Sequence, residues 1–120
     1  MPATGTQGWL DLTVDHPEAL VSFYSEVLGW TPSPVAMSAG DEEWNDHAML
    51  VGDTPVGGIC RRHGPNAKMP PVWVPYFVVA QLDDTVAAAT ERGAQIVDKR
   101  EKMAVLRDPA GAVFALWQGD

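Results

Sequence analysis

From Trp9 to Val14 the chain alternates strictly, with Leu10, Leu12 and Val14 on one face, which predicts a half-buried strand. The period then changes. Asp15-His16-Pro17-Glu18 offers an N-cap candidate, a proline near the first helical position and an early acid. Leu20, Phe23, Tyr24, Val27 and Leu28 recur at helical spacing, predicting a helix with one apolar stripe. Gly29 stands where a left-handed residue commonly ends a helix.

The second half repeats this grammar. Tyr76–Val79 reads as a strand, Leu82-Asp83-Asp84 as a stapled and capped helix start, and Val86–Thr90 as alanine-rich helix closed by Glu91-Arg92-Gly93. Strand-like runs follow each glycine: Thr31–Met37, Trp44–Val51 and Val56–Arg62 in the first half, then Ala94–Asp98, Met103–Arg107 and Ala112–Gln118 in the second. Each half is therefore β-α-β-β-β, an internal duplication at a period of about 65 residues. Module one covers about 8–62 and module two about 72–118 of a single domain. The linker, 63–71, carries glycine, asparagine and three prolines, which argue against regular structure. Asp108-Pro109-Ala110-Gly111 has tight-turn chemistry and predicts a hairpin between the last two strands.

Composition narrows the partners. The chain is 46% hydrophobic and 20% charged, ordinary for a globular domain. A net charge of −8 disfavours nucleic acid and anionic membranes, since both require a basic face. No apolar run approaches the roughly 20 residues that span a bilayer, and the N-terminus lacks the pattern of a secretory signal. Cys60 is the sole cysteine, so no internal disulfide is expected, and no Cys/His spacing suggests zinc. A cytoplasmic location fits these features best. No GxSxG, P-loop or dinucleotide fingerprint occurs.

The two β-α-β-β-β modules, Phe23-Tyr24 in the first helix, Leu28-Gly29-Trp30 after it, and Asp108-Pro109-Ala110-Gly111 before the last strand together resemble the vicinal-oxygen-chelate superfamily. The stretch from Gly64-Pro65 through Pro70-Pro71-Val72-Trp73-Val74-Pro75-Tyr76 is similar to its bleomycin-resistance-like branch. The resemblance implies an α+β fold: two βαβββ modules in a curved, half-open sheet barrel with the helices outside and the ligand or metal site on the concave face. Its metal-using members carry His or Glu on the first and last strands of each module. Those positions fall here on Trp9 and Val74, on Ala115, and near Gly58, Ile59 or Cys60, none a histidine or carboxylate. No metal and no cofactor is expected.

Alternation then names the residues sharing the face of the missing ligands: Trp9, Asp11 and Thr13, Val74, Tyr76 and Val78, then Val113, Ala115 and Trp117, with Trp44 from the third strand. Phe114 and Leu116 point toward the helix. The expected ligand site is Trp9, Asp11, Thr13, Trp44, Val74, Tyr76, Ala115 and Trp117, an aromatic-rich pocket of the usual small-molecule kind. Asp11 reads either as a counter-ion or base, or as a structural partner of an arginine such as Arg61. Trp30 and Trp73 read as packing residues. His47, beside Asp46, is a second candidate base; His16 reads as a helix-start residue, His63 as exposed linker and Cys60 as a small buried side chain.

Three functions remain in view. One is a metal-independent protein holding an aromatic or cationic metabolite or drug. Another is a metal-independent or relocated-metal isomerase or lyase using Asp11 or His47. The last is a regulatory protein acting through its outer surface. The open half-barrel that the resemblance implies also predicts a homodimer, the commonest closed assembly.

Overall fold

A computed structural model describes residues 3–119, the side chain of Pro65 excepted. It comprises β1 (Gln7–Val14), α1 (Pro17–Leu28), β2 (Thr31–Ala39), β3 (Glu42–Val51), β4 (Thr54–Arg61), β5 (Trp73–Val79), α2 (Leu82–Glu91), β6 (Gln95–Lys99), β7 (Met103–Arg107) and β8 (Val113–Gln118). The fold is mixed α+β, and each β-α-β-β-β module is realised. Two compact units divide the chain: Asp11–Trp73, and the stretch up to Leu10 together with that from Val74 onward. The division cuts β1 in two, because its two halves pair with different strands.

In the Asp11–Trp73 unit the second half of β1 runs parallel to β4, with Asp11 opposite Gly58 and Thr13 opposite Cys60. β4 then pairs antiparallel with β3, and β3 with β2. The helix α1 covers one face. Its buried line is Pro17 and Val21, a single helical turn apart, with Leu20 and Tyr24 half-buried. Val21 packs with Met49 and Ile59, and Tyr24, Trp30 and Trp73 close the cluster. The Trp73 indole donates to the Tyr24 hydroxyl at 3.0 Å, which satisfies both polar atoms in this packing role. The expected stripe is thus rotated: Phe23 and Val27 are 52% and 60% exposed, because burial follows Pro17 and Val21. Asp15 is not the cap either. His16 takes that position without a side-chain bond, while Asp15 accepts from Arg62 Nη1 at 2.6 Å. Gly29, at φ 71°, ends the helix in the left-handed region, its N–H donating to Ser25 O.

The linker is more ordered than its composition suggests. Gly64–Asn66 forms a 3-10 turn, and the Asn66 side chain holds both sides: its Oδ1 accepts from His63 N at 2.6 Å and its amide donates to Arg61 O at 3.1 Å. Arg62 anchors the following segment, donating from Nε and Nη2 to Met69 O at 3.1 and 2.8 Å and from Nη2 to Thr13 O at 3.3 Å.

The other unit mirrors this grammar. β5 runs parallel to β8, and β8–β7 and β7–β6 follow antiparallel. β1 neighbours β5, and the residues just before it are tied to Val78, which donates to Thr6 O at 2.9 Å and accepts from Gly5 N at 2.8 Å. Val79, Leu82, Val86, Ala104, Leu106 and Leu116 form the core under α2, with Phe77, Ala89 and Phe114 at its margin. The helix starts at Leu82, four residues earlier than its alanine-rich part, because Gln118 Oε1 accepts the Leu82 N–H at 2.8 Å. Capping therefore comes from the last strand and not from Asp83 or Asp84. The Asp108 carboxylate accepts from Ala110 and Ala112 N–H, building the expected hairpin turn. Among the described residues no helix is long and apolar enough to cross a membrane.

Candidate functional site

Strand register matches the β1–β4 pair of one module to the β5–β8 pair of the other. Asp11 and Tyr76 each stand three before a strand-closing valine; the first lies opposite Gly58 and the second opposite Ala115. Gly58 is therefore the equivalent of Ala115, and Cys60 of Trp117. The backbone repeats the match, with Arg62 N donating to Val14 O and Gly119 N to Val79 O. The fourth position at which metal-using members of the resembled superfamily carry a ligand, left open between three residues by the sequence, is thereby assigned to Gly58. Trp9, Gly58, Val74 and Ala115 present no nitrogen or oxygen donor of the kind a divalent cation takes. Among the described residues no group of three His, Cys, Asp or Glu is placed to hold a metal. The residues present do not fit the metal used elsewhere in that superfamily.

In the unit from Val74 onward, Phe77, Val79, Phe114 and Leu116 face α2, so Tyr76, Ala115 and Trp117 face the other way. There a cavity of about 370 Å3 is lined by Gly8, Trp9, Tyr76, Met103 and Trp117. Three of the expected site residues, Trp9, Tyr76 and Trp117, are brought together. Val74, Val78 and Ala115 lie fully buried and do not line it. Two lining residues escaped the sequence reading. Met103 enters because β7 places it directly opposite Trp117, a relation that counting outward from the Asp108–Gly111 turn would have given. Gly8 carries no side-chain signal at all. Trp117 is 45% exposed.

The equivalent face of the Asp11–Trp73 unit is polar. Asp11 and Thr13 on β1 share the face of Gly58 and Cys60 on β4, and neither lines the aromatic cavity. Thr13 is buried. Burial, followed by the nearby carboxylates of Asp11 and Asp46, pushes the Cys60 thiol well above the ordinary thiol range. A thiol held protonated in this way is a poor nucleophile. The Arg61 guanidinium pairs with Glu42 at 3.2 Å and lies 5.3 Å from the centre of the Trp44 ring.

Trp44 belongs to a separate hollow of about 420 Å3 in the β2–β3 hairpin, lined also by Ala36, Met37, Ser38, Glu43 and Asn45. Its indole donates to Asp46 Oδ1 at 3.1 Å, and Asp46 also accepts from Arg61 N at 2.9 Å. The His63 ring packs 4.5 Å from Trp44, with its Nε2 3.3 Å from Glu42 Oε1. His63 is therefore half-buried rather than free in the linker, because the 3-10 turn carries it back over β3. His63 first, and Arg61 after it, hold the Glu42 carboxyl below its ordinary value. His47 stands opposite Ile59, in the row that faces α1, while Asp46 occupies the other face. The two adjacent residues thus cannot act as a histidine–carboxylate pair.

A family model described as a glyoxalase-like domain matches residues 9–117. The Mycobacterium tuberculosis protein CFP32 is 34% identical over 94% of this chain and 44% of its own length. The anthracycline biosynthesis protein DnrV of Streptomyces peucetius is 32% identical over 93% of this chain and 41% of its own. The chain thus spans less than half the length of these relatives. Among solved structures, a hypothetical protein of Bacillus halodurans aligns with a TM-score of 0.63 at 12% identity, covering 98% of this chain and 96% of that one. Methylmalonyl-CoA epimerase of Streptomyces coelicolor aligns at 0.57 and 13% identity, covering 98% and 99%. At such identities the structures establish the fold alone, which is that of the vicinal-oxygen-chelate proteins. With the family model spanning nearly every described strand and both helices, the chain belongs to the glyoxalase-like domain family.

Proposed function

We propose that this chain is a small-molecule-binding protein that takes an aromatic ligand into the Gly8–Trp9–Tyr76–Met103–Trp117 cavity without using a metal. The observation that carries this reading is the convergence of three aromatic side chains from three strands on one cavity of ligand size. In the Tyr24–Trp30–Trp73 cluster beneath α1 the rings pack on one another and on the core. Trp117 instead stands with almost half of its surface open. The chemistry at the superfamily's ligand positions supports metal independence, since no donor stands there. That a relative is named for anthracycline biosynthesis fits a role with small molecules.

The test is a panel of small aromatic compounds read by tryptophan fluorescence and thermal shift. Ligand that binds only the folded chain raises its melting temperature by mass action. Trp117→Ala should weaken the best binder by about tenfold, from lost ring contact of about 1–1.5 kcal/mol. Unchanged affinity in that variant would place the ligand elsewhere.

A further inference from the structure

We infer that the ligand is a flat, uncharged, fused aromatic system of two to three rings, and that Gly8 sets the width of the gap it enters. This inference rests on the proposed binding function and specifies its substrate class. Among the described residues the lining holds no Asp, Glu, Lys, Arg or His. A charged ligand would lose its hydration there without gaining a counter-ion, which is costly. Size follows from volume. An apolar cavity of about 150 Å3 accepts one benzene ring, so 370 Å3 accommodates about two to three fused rings. Trp9, Tyr76 and Trp117 supply aromatic rings, and Met103 an adaptable thioether that packs well against aromatic edges.

Gly8 is the fixed point of this arrangement. A Cβ on it would lie 3.1 Å from Val78 Cγ2 and 3.9 Å from Trp117 Cε3. Val78 is fully buried, and its backbone is bonded to Gly5 and Thr6 just before β1, so its side chain has little room to give. An added methyl therefore pushes Val78 or the β1 backbone by a few tenths of an ångström, and it stands at van der Waals distance from Trp117 on the wall of the cavity. Met103, across from Trp117 on β7, is the flexible side of the same gap.

The experiment is isothermal titration calorimetry of the intact chain with four probes: 2-naphthol, 9-anthracenemethanol, naphthalene-2-sulfonate and 1-naphthylmethylammonium. The two neutral probes should bind about tenfold more tightly than either charged one. Gly8→Ala should weaken 9-anthracenemethanol by about fivefold and 2-naphthol by less than about twofold, as expected of a narrowed gap. Met103→Ala should shift the preference toward three rings by about threefold, since it enlarges the cavity. Circular dichroism and the melting temperature establish that each variant is folded, and Met103→Ala decides the matter if Gly8→Ala does not fold. Charged probes binding as tightly as neutral ones overturn the assigned class. An unchanged size preference in the folded variants overturns the role of Gly8. Wild-type protein that binds none of the four overturns the binding function itself.

Discussion

Equivalent places in the two modules carry opposite chemistry. Asp11 and Cys60 stand in one where Tyr76 and Trp117 stand in the other, at matching register on matching parallel strands. Around the first pair the side chains are ion-paired and hydrogen-bonded: Asp46 with Trp44 and Arg61, Glu42 with Arg61 and His63. Around the second they are apolar and aromatic, and a cavity opens. The helix-facing sides differ much less, both being aliphatic and aromatic packing against one helix. Duplication thus preserves what the fold needs, the helix-facing alternate residues, and leaves the other alternate set free to diverge. The proposed binding function draws on that second set.

The largest effect should come from the preserved side. Leu106→Ala and Met49→Ala, each removing a fully buried side chain from one core, should cost about 2–5 kcal/mol apiece in denaturant unfolding. Similar costs would uphold the equivalence of the two packing faces. A cost below 1 kcal/mol, on the order of a surface substitution, at either site would break it.

Arg62 sharpens the contrast, because its equivalent in the other module is Gly119. Its guanidinium ties Asp15, Thr13 and Met69 together, with a largely buried side chain. Arg62→Met should cost about 2–3 kcal/mol through the two carbonyls left without a donor. Restoring charge with lysine should recover little, since one ammonium cannot reproduce the fork. Full recovery by Arg62→Lys would reduce the arginine to a point charge.

Cys60 tests whether the polar face is as closed as its chemistry implies. Its raised pKa keeps it protonated through pH 8, so native protein should react with iodoacetamide far more slowly than unfolded chain. Asp46→Asn removes one of the carboxylates that raise it and should speed the native reaction, read by mass spectrometry. The same shift has a stability consequence. The thiol contribution is present below the unfolded value of about 9 and is lost as pH rises above it, because the unfolded thiol ionises there and the folded one does not.

The smallest effect belongs to Glu42, exposed and paired with Arg61 and His63. Its lowered pKa means that its contribution is present above the ordinary carboxylate range and disappears as pH falls below about 4.5. Glu42→Gln should therefore flatten the acid limb of the stability profile slightly, and added salt should shrink the difference. A large loss of stability at neutral pH would show that the pair supports the Trp44–His63 contact and is more than a surface bridge.

Much of the scaffold was legible along the chain. Alternation from Trp9 to Val14, the helical spacing before Gly29, its repetition before Gly93 and the Asp108–Gly111 turn are local patterns, set by side-chain periodicity and backbone permissiveness over a few residues. The same alternation put Trp9, Tyr76 and Trp117 on one face, and they line one cavity. Features that depend on partners distant in sequence were not legible. Pairing of β1 with β4 decided that Gly58 and not Cys60 matches Ala115. Pairing of β7 with β8 brought Met103 to the cavity, and the 3-10 turn carried His63 onto Trp44. Periodicity gave α1 an apolar stripe, but only tertiary packing, with Val21 against Met49 and Ile59, left Pro17 and Val21 buried and Phe23 and Val27 exposed. Local propensity can specify which way a residue points within its own element. Which residue it then meets depends on the register between elements, and that is settled only when the strands pair and the cores close.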